Sequence, residues 1–163
     1  MRLLVLCTHN SARSQMAEGW LQHYAQNLYA QNLPHSLPID VASAGSQKTF
    51  VKPEAVKVMA EVGIDISGHC SKTTDELSDP WDFGVVMTVC DSANETCPVY
   101  PGATRLHVSF PDPSGKSLDD WRAVRDALGV CCHRLIDMIR SGAPLDERGL
   151  EAPAETSRAG QSA

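Results

Sequence analysis

The sequence has no run approaching the ~18 consecutive apolar residues of a membrane-spanning helix. Its opening, MRLLVL, is too short an apolar stretch for a secretory signal, and no small-residue cleavage site follows it. Neither a membrane nor a secreted protein is expected, and the expected location is the cytoplasm. Positive charge is scarce too. Fourteen Lys and Arg stand against twenty Asp and Glu, a formal net charge of -6, so the clustered cations that nucleic-acid backbones demand are missing and no nucleic-acid partner is expected. Any anionic ligand must be held by local geometry. Metal-ligand spacing is also lacking: the gaps among Cys90, Cys97, Cys131, Cys132 and His133 suit no usual zinc set, and neither metal nor cofactor is expected. Structural disulfides are rare in the cytoplasm, so the six cysteines (7, 70, 90, 97, 131 and 132) read as catalytic, redox or buried thiols.

What is present suits one domain: 163 residues, 42% hydrophobic and 21% charged. Arg2 to Leu6 reads as a buried strand. SQMAEGWLQHYAQ reads as a helix, with Met16, Trp20 and Tyr24 on one face. The duplicated five residues of YAQNLYAQNL, from Tyr24 to Leu33, read as a helix extension or an enlarged loop. IDVASAG, DFGVVMTV and TRLHVSF read as three more strands. KPEAVKVMAEVG has Pro53 at a helix start and Gly63 at its end. From Ser117, a plausible N-cap, Leu118, Trp121, Val124, Leu128, Cys131, Leu135 and Met138 recur at helical spacing. Strands alternating with helices predict an α/β fold, a four-stranded, mostly parallel sheet flanked by helices, over residues 1–140. Residues 141–163 turn to Gly, Pro, Ala, Glu and Ser without periodicity, predicting a disordered tail.

The strand that ends at Cys7 passes through THNSA to Arg13 and Ser14, where the helix begins. In open α/β sheets, ligands bind beyond the carboxyl ends of strands. There the helix N-terminus turns unpaired N–H groups and a partial positive charge toward Cys7. Such a turn, Thr8, His9, Asn10, Ser11, Ala12, Arg13 and Ser14, is built to hold an oxyanion. Arg13 offers a planar, permanently charged fork to two of its oxygens. Asn10 suits a left-handed turn that bends the loop inward, and Ser14 can donate to the sulfur. With these donors around it, Cys7 is expected to ionise readily and act as a nucleophile.

These residues, with CTHNSARSQMAEGW, SAG, VGIDISGHCSK, the strand ending in Cys90, FPDP and WRAVRD, resemble the low-molecular-weight tyrosine phosphatase superfamily, and within it the thioredoxin-coupled arsenate reductases. The resemblance runs over roughly residues 2 to 140 and implies a low-molecular-weight tyrosine phosphatase-like fold. His9 stands where Gly is common, and Ala12 where many relatives carry a second loop cysteine. It further implies that Asp112, turned by its flanking prolines, is the general acid that protonates a leaving oxygen.

The segment VCDSANETCPVYPG separates two activities. A phosphatase needs one thiolate and water, whereas reducing arsenate to arsenite takes two electrons, which a second thiol supplies by forming a disulfide. Cys90 is that thiol and Cys97 a resolving one. Were the stretch between them helical, their Cα atoms would lie about 10 Å apart, beyond the ~5.5 Å a disulfide prefers, so it must unwind. The resemblance implies a cascade from Cys7 to Cys90 to Cys97, recycled by thioredoxin and serving arsenic detoxification in a monomeric enzyme. A tyrosine phosphatase is the alternative, weakened because Ser114 and Gly115 follow Asp112 and Pro113 where that family has tyrosines. A non-enzymatic thiol redox sensor is the other. Cys70, Cys131 and Cys132 are expected to be structural. Some relatives hold potassium through Asn, Glu, Ser and Asp. Asn10, Glu18 and Ser43 match, while Lys72 stands near the acidic position, so its ammonium is expected to replace the ion.

Overall fold

The computed structural model describes residues 1–30 and 38–151. Strand β1 (Arg2–Cys7) is the sheet's second strand in the order β2-β1-β3-β4, with β2 (Asp40–Gly45), β3 (Val85–Thr88) and β4 (Thr104–His107) all parallel to their neighbours. A central parallel strand is covered on both faces, which is why RLLVLC shows no polar alternation: Leu3, Leu4 and Val5 are wholly buried. The register places Cys7 beside Gly45 and Leu6 between Ala44 and Thr88, so the C-terminal ends of β1, β2 and β3 converge.

Three helices cover the sheet. Helix α1 (Arg13–Ala30) follows β1 and packs against α4 (Leu118–Ser141), where the Trp20 indole donates to the Arg125 carbonyl at 3.0 Å. Helix α2 (Pro53–Glu61) buries Ala55, Val58 and Met59, and ends before Gly63, whose φ of 79° an L side chain would resist. Ser117 caps α4 as read from the sequence: its hydroxyl accepts from Asp120 N–H, and the Asp120 carboxylate accepts from Ser117 N–H. The stripe read from α4 is the face it buries, with Trp121, Val124, Leu128, Cys131 and Leu135 all within 5% of complete burial. Helix α3 (Asp91–Thr96) sits at the C-terminal ends of β1 and β3.

Two expectations need adjustment. The chain does not lose structure at residue 141: after Gly142 it forms α5 (Glu147–Leu150), capped by Asp146 accepting from Gly149 N–H at 2.8 Å. Leu150, 1% exposed, packs α5 on α4. A buried leucine, a cap and the Glu147 carboxylate, which accepts from His107 N–H at 2.8 Å, hold a turn too short to show periodicity. Residues 152–163 of the expected tail, and 31–37 with the end of the duplication, lie outside the described residues; up to Ala30 the duplication extends α1. Cys131 and Cys132 are core residues, but Cys70 is exposed and packs no core.

Among the described residues no helix is long and apolar enough to cross a membrane, and no three His, Cys, Asp or Glu side chains group to hold a metal ion.

Candidate active site

The turn after β1 is held from outside. Thr8 O accepts from Gln47 N–H at 3.0 Å and the Ser46 hydroxyl, His9 O from the Ser71 hydroxyl at 2.8 Å, and Asn10 O from Gln15 Nε2 at 3.1 Å. Ser11 O accepts from Lys52 N–H at 2.8 Å and Ala12 O from Met16 N–H at 3.0 Å. With five successive carbonyls engaged elsewhere, the loop's N–H groups are left as donors for an anion, as in other concave backbone sites. Asn10 provides the bend, with φ at 50° and its side chain wholly buried. Its Nδ2 donates to Ser14 Oγ and Ser43 Oγ, both at 2.9 Å, and its Oδ1 accepts from Lys72 N–H at 3.1 Å.

Ser14, expected to donate to the sulfur, is instead tied to Asn10; among the described hydrogen bonds none joins it to Cys7. Gln15, which the sequence did not single out, fills the role of strut. Its Nε2 reaches Asn10 Oδ1 at 2.8 Å and Cys70 O at 3.1 Å, while Oε1 pairs with His69 Nδ1 at 3.0 Å. Gly45 fits against the loop so closely that a Cβ there would stand 2.5 Å from Thr8 O and 3.0 Å from Asn10 N.

Over the loop lies a cleft of about 320 Å³ lined by Cys7, His9, Arg13, Lys52, Asp112 and Ser114, among others. Arg13 is anchored by one arm, Nη1 donating to Phe110 O at 2.9 Å, and its Nη2 lies 3.9 Å from Asp112 Oδ2. Its buried Nε has no partner among the described residues, a donor consistent with an anion's oxygen. Asp112 accepts from Ser114 N–H at 3.0 Å. Burial pushes its carboxyl up, but Ser114 and the charges of Arg13 and Lys52 outweigh that and hold it below the usual carboxylate range.

The structure brings Cys90 to Cys7. Their sulfurs are 3.5 Å apart, both buried, although 83 residues separate them in sequence. At that distance the two thiols are coupled. Cys90 is pulled down to about 5, first by the Cys7 thiol donating to it, then by the Thr8 hydroxyl at 3.5 Å, the Ala93 N–H and the Arg13 charge, against the effect of burial. Cys7 is pushed far above a normal thiol, first by that same bond and then by burial, with Arg13 and the Thr8 N–H pulling the other way. The Cys7–Cys90 hydrogen bond thus lowers the Cys90 thiol and raises that of Cys7, so the two sulfurs titrate as a coupled pair.

Cys97 is not joined to the pair. It ends α3, held extended by Pro98 at φ -63° and ψ 123°, half-buried, its thiol pushed up by burial. Cys90 precedes α3 and Cys97 follows it, so the segment is helical and its ends are too far apart to bond as it stands. A second cavity of about 110 Å³ is lined by Cys7, Ala93, Thr96 and Cys97, among others.

Beneath the loop, Ser43 donates to Glu18 Oε2, and Lys72 Nζ lies 3.8 Å from the same oxygen. Asn10, Ser43 and Glu18 do gather as expected for a cation site, but the Lys72 ammonium already supplies a positive charge there. The donor set does not fit an added potassium ion.

The family model for low molecular weight phosphotyrosine protein phosphatase matches residues 2–145. An arsenate reductase of Brevibacillus brevis is 40% identical over 127 residues, 77% of this chain and 86% of its own. One of Halalkalibacterium halodurans is 42% identical over 132 residues, 76% of this chain and 86% of its own. Among solved structures, an arsenate reductase in the phosphate binding state is similar with a TM-score of 0.69 and 33% identity, covering 85% of this chain and 98% of that one. A low molecular weight protein tyrosine phosphatase from T. tengcongensis gives 0.70 and 25%, covering 84% and 98%. With the model matched over residues 2–145, this chain belongs to the low molecular weight phosphotyrosine protein phosphatase family.

Proposed function

We propose that this chain is an arsenate reductase that uses Cys7 as nucleophile, Cys90 as the second thiol and Cys97 as the resolving thiol. The observation that carries this reading is the 3.5 Å approach of Cys90 to Cys7, which lines the cleft. A hydrolytic phosphatase has no use for a second thiol there, whereas a two-electron reduction needs one.

Arsenate is held by the loop N–H groups, Thr8 to Ser14, and by the Arg13 fork. As Cys7 attacks arsenic, its proton passes to Cys90, and Asp112 protonates the oxygen that leaves as water. The anion's charge beside Asp112 raises its carboxyl and favours the acid form. Cys90 then gives its proton to an arsenic-bound oxygen and attacks Cys7 sulfur. The electron pair of the sulfur–arsenic bond stays on arsenic, which departs as arsenite, and the two sulfurs form a disulfide. Cys97, losing its proton to solvent, attacks Cys90, and Cys7 leaves as a thiolate. A dithiol reductant of the thioredoxin kind reduces the Cys90–Cys97 disulfide by exchange. The role calls for the reducing cytoplasm, and one chain supplies every residue it uses.

The test is a single turnover. Reduced protein mixed with arsenate, without recycling, is expected to release about one arsenite and lose about two thiols per chain, since a disulfide carries two electrons, with neither change in Cys90→Ser. No arsenite together with catalytic hydrolysis of an aryl phosphate would move the chain to the phosphatases, and neither activity would leave a redox sensor. Weak aryl phosphate hydrolysis beside the reductase activity is favoured by Phe50, which stands 61% exposed at the cleft with Lys52 Nζ 5.2 Å from its ring.

A further inference from the structure

Helix α3 is six residues long, with only Ala93 buried. A helix of that length does not stand alone in water, because its few hydrogen bonds do not offset the cost of nucleation. Two side chains of β4 hold it. Residues 105 and 107 lie on one face of the strand, two positions apart. Arg105 Nη2 donates to the Asn94 carbonyl, one of the last four of the helix, and to Asn94 Oδ1 at 2.8 Å. His107 Nε2 bonds Asp91 Oδ1 at 2.9 Å, on the first residue of the helix.

His107 is itself fixed from three sides. Its ring Nδ1 pairs with Thr88 Oγ1 at 2.8 Å, and its backbone N–H donates to Glu147 Oε1 of α5 at 2.8 Å. Both ring nitrogens are thus paired, one with Thr88 and one with Asp91. Both contacts grip the segment that has to unwind before Cys97 can reach Cys90.

We propose that Arg105 and His107 are positioning residues that hold α3 wound while Cys90 attacks Cys7, and whose release sets the rate at which Cys97 resolves the first disulfide. The proposal rests on the cascade given above. In the step concerned, the Cys97 thiolate forms a bond to Cys90 sulfur, the Cys7–Cys90 bond breaks, and its electron pair leaves with Cys7. No external oxidant enters. While α3 is wound, Cys97 is held at its far end. Letting go of Asp91 and Asn94 frees the segment to bend Cys97 back, along the cavity it shares with Cys7.

Reduced protein is mixed with arsenate, quenched with an alkylating agent at successive times, and the Cys7–Cys90 and Cys90–Cys97 disulfides are counted by peptide mass spectrometry. Arg105→Ala and His107→Phe should each shorten the lifetime of the Cys7–Cys90 species by about fivefold, the weight of one or two net hydrogen bonds. Arg105→Lys, which keeps a donor to the Asn94 carbonyl, should restore it most of the way. Arg105 is a surface residue whose truncation leaves no buried group unpaired, so that variant is expected to fold. Lifetimes equal to, or longer than, that of the unaltered protein would overturn the clamp. Absence of both disulfides in the unaltered protein would instead overturn the cascade itself.

Discussion

The loop from Thr8 to Ser14 and the helix from Asp91 to Thr96 meet at one pair of sulfurs, and they are built in opposite ways. In the loop, five carbonyls in a row are engaged, and Asn10 and Ser14 are wholly buried. In the helix one residue of six is buried, and its other anchors are side-chain contacts on the surface. An anion site gains from standing still, because donors already in place need no reorganisation when charge develops. A disulfide relay gains from the reverse, since its sulfurs must come to within bonding distance in turn. On the proposed reading, one strand end carries a fixed binding site and a movable thiol carrier side by side.

Breaking each half in turn is expected to give distinct losses. Cys7→Ser should abolish arsenite release even in a single turnover, whereas Cys97→Ser should still release arsenite once and accumulate the Cys7–Cys90 disulfide. Full turnover by Cys97→Ser with a dithiol protein would remove the relay. Arg13→Lys keeps the charge but not the fork, and should lower kcat/KM for arsenate by about 10²-fold, as for loss of one preorganised donor. A change within a few-fold would mean that the loop N–H groups alone suffice. Gly45→Ala would push a methyl group against the Thr8 carbonyl and should reduce kcat/KM by about tenfold, with a stability loss of about 1–3 kcal/mol from overpacking; thermal denaturation beside steady-state assays reads both.

The coupled thiol pair is sharpened by titration. A thiol held near 5 stays ionised as pH falls from 9 and is protonated only below about 5. The ultraviolet thiolate absorbance of the reduced protein should therefore fall with a midpoint near 5. A single midpoint near 9 would mean that the two thiols are not coupled. The smallest expected effect is that of potassium: with the Lys72 ammonium beside Glu18, adding it at constant ionic strength should change the rate by less than about twofold, against a tenfold step for each ~1.4 kcal/mol of coupling. A large increase would show that Lys72 does not stand in for the ion.

Much of the frame was readable from sequence because each element signals itself locally. RLLVLC is a buried run, α4 repeats its apolar stripe, and Asn10, Gly63 and Ser117 are residue types that their backbone positions favour. Pairings across the chain are of another kind. Nothing in the spacing of Cys7 and Cys90 reports a 3.5 Å approach; the resemblance supplied it. Gln15 reads as an ordinary polar residue in a helix until three of its partners turn out to be loop and neighbour groups. Arg105 and His107 look like the polar face of an edge strand. The coupling of the Cys7 thiol to Cys90 was not readable, because the acidity of a thiol depends on its nearest neighbours and the sequence could not place the Cys90 sulfur there. The turn at α5 escaped notice because a single leucine has no period.

Gly45 lies on a different strand from Cys7, 38 positions along the chain, and its contribution is the absence of an atom. The pocket that receives the anion is thus shaped partly by a position with no side chain to offer. In a survey of every possible substitution, residue 45 should tolerate as little change as the loop it faces, although it touches no substrate and has no chemistry. A map of intolerance drawn on this chain would not be a map of its catalysts alone; it would also outline the mould in which their backbone was set.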